Sequence, residues 1–232
     1  MLQLLRLRQI MGSAFGAKHK EDRVFVMANH VNFTVNFDQI NEAATTKLKE
    51  IYARIRNEEG SHAWFSDMFV EGDLSYEDTG KYEWTTANIG PKWCYLEEFD
   101  ETFMNGTSAW CYPEEGITKL LEILEEFDPN IITSVTYEDE CPLFVGCVIF
   151  EGSQQVDGME DDYEEIREYV ITSSEILNED SWNSDDEEWV DDESENVFQE
   201  EIWEAVHIRM MEVITPTVEM RKESQAIRKE YV

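Results

Sequence analysis

The fold turns on Trp84–Pro113, WTTANIGPKWCYLEEFDETFMNGTSAWCYP, where two aromatic-rich runs flank Asn105-Gly106. One run carries Trp93, Tyr95 and Phe99, the other Phe103, Trp110 and Tyr112. Such side chains suit a pleated, half-buried surface, and Asn-Gly supplies the positive φ angles of a tight connection. The stretch therefore reads as two neighbouring antiparallel strands joined at Asn105-Gly106. Ile89-Gly90-Pro91-Lys92-Trp93 reads as a backbone kink entering the first strand, and Ser108-Ala109-Trp110 sets small residues beside a large one. These are marks of a packed sheet and carry no reaction chemistry.

Working outward, His30–Phe37 places Val31, Phe33, Val35 and Phe37 on one face, the period of a strand buried on one side. Asp38 is the expected cap of a helix in which Ala43, Leu48, Ile51, Tyr52 and Ile55 recur at helical spacing to about Asn57, with Gly60 as its stop. Trp64–Val70 is either a helical turn or an edge strand, followed by an acidic loop through Asp73, Glu77 and Asp78. Beyond the central strands, Glu114 and Glu115 open a second helix whose buried face is Ile117, Leu120, Leu121, Ile123, Leu124 and Phe127, and Asp128-Pro129 ends it. Ile131–Tyr137 and Leu143–Phe150 form a hairpin, with Gly146 marking a close approach or a bulge. This order predicts an α+β fold, an antiparallel sheet with helices packed on one face.

Asn88-Ile89-Gly90-Pro91-Lys92-Trp93, the aromatic strand after it, Ser108-Ala109-Trp110, and Tyr112-Pro113 leading into a helix resemble the YubB type of ferredoxin-like domain found in phage and plasmid accessory proteins. Met27-Ala28-Asn29-His30-Val31 matches the usual opening of that family, so the likeness runs roughly from Met27 to Phe150. Pro91 departs from the pattern, standing where a small polar residue is expected. The resemblance implies a ferredoxin-like sheet and a mobile-element origin, and brings no catalytic residue with it.

Composition divides the chain into 1–26, 27–152, 153–215 and 216–232. In 1–26, Leu2, Leu4, Leu5, Leu7 and Ile10 alternate with Arg6 and Arg8, and the only acids are Glu21 and Asp22. That apolar run is too broken for a signal peptide or a spanning helix; it reads as a targeting or membrane-surface element, or as an extension upstream of a natural start at Met27. Residues 27–152 are the expected ferredoxin-like domain. In 153–215, about twenty acids between Asp157 and Glu204 face the single base Arg167, yet Tyr163, Ile166, Tyr169, Val170, Ile176, Leu177, Trp182, Trp189, Val190, Phe198, Ile202 and Trp203 are interleaved with them. The expectation is an acidic, partly helical extension. It holds a helix at Tyr163–Val170, a loop at Asn178–Asn196, and a terminal helix whose face, Val197, Phe198, Ile202, Ala205, Val206, Met210 and Val213, ends at Thr215-Pro216. The basic tail 216–232, with Arg221, Lys222, Arg228 and Lys229, either lies against the acidic run or stays loose.

At 232 residues and 42% hydrophobic composition the chain can bury a real core, but 52 acidic against 18 basic residues give a net charge of -34. Such a field opposes approach to nucleic acid and to anionic membranes and favours basic partners. Solvation in a high-salt setting is the plainer account of the same charge. No phosphate loop, nucleophile elbow or zinc-spaced cluster occurs, and the run from Asp185 to Glu195 lacks the glycine of a calcium loop. Cys94, Cys111, Cys141 and Cys147 form no CxxC pair and are expected to be reduced and mostly buried. Lys92 reads as an edge protector ahead of an anion ligand. No catalytic residue, cofactor or metal is expected.

The resulting expectation is a non-enzymatic accessory protein, cytoplasmic in an infected or plasmid-bearing bacterial cell. It binds a basic, nucleic-acid-binding host protein such as RNA polymerase, a nuclease or a defence complex, as a DNA mimic or inhibitor. The expected contact residues are Trp182, Asp185, Asp186, Glu187, Glu188, Trp189, Asp191, Asp192, Glu193 and Trp203, carboxylates competing for a phosphate groove with indoles as desolvated anchors. Two alternatives stand beside it. One is an enzyme or small-ligand domain with its site on the sheet face near Lys92, Trp93 and Trp110; the other is a structural or assembly protein whose charge is only solvation.

Overall fold

The alternation in β1 (His30–Gln39) places it at the centre of the molecule, with Val31, Phe33, Val35 and Phe37 buried. The structure is a computed structural model that describes residues 29–55, 63–70, 80–141, 143–183 and 188–230. Around β1 stand β2 (Ala63–Trp64), β3 (Cys94–Phe99), β4 (Phe103–Ala109), β5 (Ile132–Asp139), β6 (Phe144–Glu151) and β7 (Gln154–Asp162). Together they make one seven-stranded sheet in the order β2-β3-β4-β1-β5-β6-β7, every pairing antiparallel.

Helices cover both faces of this α+β sheet, where the sequence reading placed them on one. Under the first face, α1 (Glu42–Tyr52) and α3 (Glu114–Glu125) bury Leu48, Ile51, Leu120, Leu121 and Leu124 against Phe33, Val35 and Met104. On the second face, α4 (Tyr163–Ser173) and α5 (Asp192–Glu230) lay Ile166, Val170, Phe198, Ile202, Val206 and Met210 over Ile132, Val145, Cys147 and Ile149. β6 explains the second layer. Val148 and Phe150 belong to one core and Val145, Cys147 and Ile149 to the other, so its near-continuous apolar run needs cover on both sides. Each such side chain contributes about 1.5–3 kcal/mol on burial.

The boundary drawn after Gly152 therefore falls inside a hairpin. Gly152 turns at φ +64, and β7 pairs with β6 from Phe144↔Asp162 to Glu151↔Gln154. On the outer edge of β7, Gly158 N–H donates to Asp157 Oδ1 at 2.9 Å. α5 does not stop at Thr215-Pro216 but runs 39 residues through Pro216. The proline is exposed, so the Glu212 carbonyl it leaves without a donor faces water, while Ile214 and Val218 keep the buried stripe going on the other side. The basic end is neither loose nor on the acidic run. Arg221 Nη1 lies 3.1 Å from Glu151 Oε2, Arg228 Nη1 lies 3.6 Å from Glu151 Oε1, and Gln225 Nε2 donates to Glu151 Oε1 at 3.2 Å.

Local corrections follow the same logic. Asn105-Gly106 lies within β4, and the β3–β4 turn is made by Asp100, whose Oδ1 accepts from Thr102 N (2.6 Å), Thr102 Oγ1 (2.7 Å) and Phe103 N (3.0 Å). Gly106 is glycine because a Cβ there would stand 2.0 Å from the Tyr95 carbonyl oxygen. Asn41, accepting from Ala44 N at 2.9 Å, caps α1; Asp38 lies in β1. Trp84 belongs to a helix the sequence reading missed, α2 (Gly80–Asn88), and Trp64–Val70 holds both β2 and a 3-10 turn, Phe65–Met68. The readings for 1–26, Gly60, Asp73, Glu77 and Asp78 lie outside the described residues.

Candidate partner-binding surface

α4 and α5 hold the acidic segment on a rigid base. α4 opens with a capping box: Asp162 Oδ1 accepts from Glu164 N (3.0 Å) and Glu165 N (3.1 Å), and Glu165 Oε2 accepts from Asp162 N (2.9 Å). Asp191 leads into α5 with Oδ1 accepting from Ser194 N at 2.7 Å, and the Ser194 donors hold its carboxyl below the usual range. Asp192, Glu193, Glu195, Glu200 and Glu204 are exposed and Glu201 is half-buried. At about 1.5 Å rise per residue these carboxylates span roughly 18 Å along the axis, an average of about 3.6 Å between successive charges. A single DNA strand carries one per about 3.4 Å.

The region's few cations point the other way. Arg167 and Arg209 are the only Lys or Arg residues in 153–220. The Arg167 guanidinium sits 4.3 Å from the Trp182 ring centroid, and Arg209 contacts Asp161 at 3.2 Å and Glu212 at 3.6 Å beside the Tyr169 ring. Arg209 neutralises Asp161 and Glu212, and neither arginine is paired with a carboxylate of the 192–204 stretch of α5.

The expected contact residues divide. Glu188, Asp191, Asp192 and Glu193 are exposed, and Trp203 is 41% exposed on α5. Trp182 and Trp189 face each other across a small ribbon, β8 (Trp182–Asn183) and β9 (Glu188–Trp189), with ring centroids 5.1 Å apart. Trp189 also packs 4.8 Å from Phe198, so these two half-buried indoles fasten the ribbon to the second core rather than projecting as anchors. Asp185, Asp186 and Glu187 lie outside the described residues. The expected loop Asn178–Asn196 instead holds a capped 3-10 turn, Glu179–Ser181, then the ribbon and the start of α5. Of the interleaved apolar residues, Ile176 and Val190 are exposed, and sequence reasoning missed two further exposed apolar residues on α5, Ile208 and Met211. For Ile208 and Met211 the signal was their place one and two turns after Glu204, outside the buried stripe.

The sheet's other half is differently made. Among the described residues no helix covers the α5-side face of β1, β4, β3 and β2, where Thr34, Asn36, Asn105 and Thr107 are only part-buried. A row of rings crosses it: His30–Trp93 at 5.0 Å, Trp93–Tyr95 stacked at 5.3 Å, Tyr95–Trp64 at 4.7 Å and Trp64–Tyr82 at 5.5 Å between centroids. Of the alternative site, Trp93 belongs to this row and Lys92 is exposed beside it. Trp110 follows β4 at φ 72, with its N–H donating to Asn29 O.

Among the described residues no group of three or more His, Cys, Asp or Glu side chains could hold a metal ion, and no helix is long and apolar enough to cross a membrane. The four cysteines are free; Cys94 and Cys147 are buried, but Cys111 and Cys141 are exposed where burial was expected. Comparison of the chain with protein-family models, curated proteins and solved structures finds no match.

Proposed function

We propose that the protein is a non-enzymatic binding protein that engages a basic, nucleic-acid-binding host protein through the outer side of α4 and α5, as a DNA mimic or inhibitor. The observation that carries this is the run of carboxylates between Asp192 and Glu204, whose average spacing along the helix axis is close to the charge repeat of one nucleic-acid strand, on a helix fixed to the sheet by an apolar stripe. Pre-ordered charge binds without the entropy cost a loose acidic tail would incur. Trp203, Ile208 and Val190 add apolar area among the acids. The order β5-β1-β4-β3, with α1 and α3 as crossovers, supports a ferredoxin-like reading, while the mobile-element origin and a bacterial cytoplasmic setting rest on the YubB-type resemblance alone.

The test is capture from bacterial lysate at low salt followed by elution with short duplex DNA. A basic nucleic-acid-binding protein released by DNA, and not captured when Glu193, Glu200, Glu201 and Glu204 are all changed to Gln, is the expected result. Capture that DNA does not displace refutes mimicry.

A further inference from the structure

We propose that the half of this sheet face left without a helix among the described residues is a second binding surface, for a proline-rich peptide with basic flanks held in the polyproline II conformation. It lies on the other half of that sheet face, beyond the part that α4 and α5 cover, and stands or falls separately. Trp64, Tyr82, Trp93 and Tyr95 belong to neither apolar core, yet with His30 they pack into one continuous row. The row exists because Ala109 is small: it pairs with His30 and donates its N–H to the Trp93 carbonyl at 3.1 Å, and its methyl group lets the indole reach across β4 to His30. Rings locked against one another lose little freedom when a ligand arrives.

Spacing selects the ligand. Two successive ring steps span at most about 10 Å, and a polyproline II helix repeats every three residues, about 9.3 Å. Prolines three apart are therefore within the span of alternate rings when the row is extended. That helix has no internal hydrogen bonds, so its carbonyls need donors. Thr34 and Asn36 stand on the neighbouring floor, and Asn105, whose oxygen accepts from Glu98 N at 2.9 Å, keeps its amide N–H groups for donation. Charge narrows the choice further. Aromatic rows on open sheets also read single-stranded nucleic acid, but among the described residues this surface sets one lysine, Lys92 beside Trp93, against Glu97 and Glu140, the latter 3.1 Å from His30, which makes no basic groove. A polyanion is repelled, whereas arginine or lysine beside the prolines is attracted.

The test titrates the full chain with a ten-residue peptide bearing two prolines three apart and an arginine at each end, followed by calorimetry. The peptide is expected to bind, with affinity falling about tenfold or more when both prolines become alanine and again when Trp93→Ala is introduced. Asn36→Ala, with an unchanged thermal melt as the control for folding, weakens binding severalfold, and Trp203→Ala on the acidic layer leaves it unchanged. Equal binding of the proline and alanine peptides, meaning charge attraction only, overturns the proposal. So does failure of the peptide to bind while a neutral glucose hexasaccharide binds through Trp93.

Discussion

Glu151 Oε2 and Arg221 Nη1 lie 3.1 Å apart, joining the end of β6 to the last turns of α5 across 70 residues of chain. Gln225 and Arg228 converge on the same carboxylate, and Arg221 Nε is buried without a partner. Glu151→Ala leaves a part-buried guanidinium uncompensated, so it is expected to cost about 1–3 kcal/mol. Amide hydrogen exchange should then rise selectively in 216–228. Uniform loss across the chain would show that the contact does not act as a local clasp.

Pro216→Ala should stabilise the chain by about 1–3 kcal/mol, because alanine restores the N–H that the Glu212 carbonyl lacks and favours helix geometry. Urea denaturation measures it; no gain would mean that a bend at Pro216 is needed to keep Ile214 and Val218 on the core.

Gly106→Ala and Gly106→Asn should be equally damaging, each about 3 kcal/mol or worse, because any Cβ meets the Tyr95 carbonyl at 2.0 Å. At a turn glycine of positive φ, Asn would be the milder change. Thermal melts of the pair separate the two cases.

Burial raises the carboxyl of Asp38, and also those of Glu138 and Asp139, above their ordinary values. The folded state thus holds protons more tightly than the unfolded chain just above the ordinary carboxylate pKa of about 4, and stability falls as pH rises through that window. With the net charge of -34 acting in the same direction, the urea midpoint should rise as pH is lowered from about 7 to about 5. Asp38→Asn should raise the midpoint at neutral pH and flatten the profile.

Changing Glu193, Glu200, Glu201 and Glu204 to Gln should leave the fold intact or slightly more stable while abolishing capture of a basic partner. Trp203→Ala should weaken that capture about tenfold without changing its salt slope, since the ring adds desolvated area and no charge. Parallel losses of partner and of the far-ultraviolet helical signal would assign these residues to folding instead.

Much of the architecture was legible where one periodicity met one environment. The alternation of Val31, Phe33, Val35 and Phe37, the α3 positions Ile117, Leu120, Leu121 and Leu124, and the stripe Phe198-Ile202-Val206-Met210 appear as read, whereas Phe127, read onto the same α3 face, is exposed. What failed was local chemistry with two uses. Asn-Gly is a turn signal, but here the glycine answers a backbone contact from the neighbouring strand, and the turn belongs to Asp100. A proline normally ends a helix, yet Pro216 sits on the wet side of one already held by packing. Interleaved indoles and acids do not say which rings turn inward, and only Arg167 and Phe198, distant in sequence, decide it for Trp182 and Trp189.

β7 ends the sheet, and two of its main-chain donors are occupied by carboxylates from its own neighbourhood: Gly158 by Asp157, Asp162 by Glu165. Another molecule adding there would have to break those internal bonds and bring like charges together. Ribbon-like accretion of copies, the usual hazard of a wide antiparallel sheet, is thus opposed at this border, and concentrated solutions should resist fibre formation until acid neutralises it.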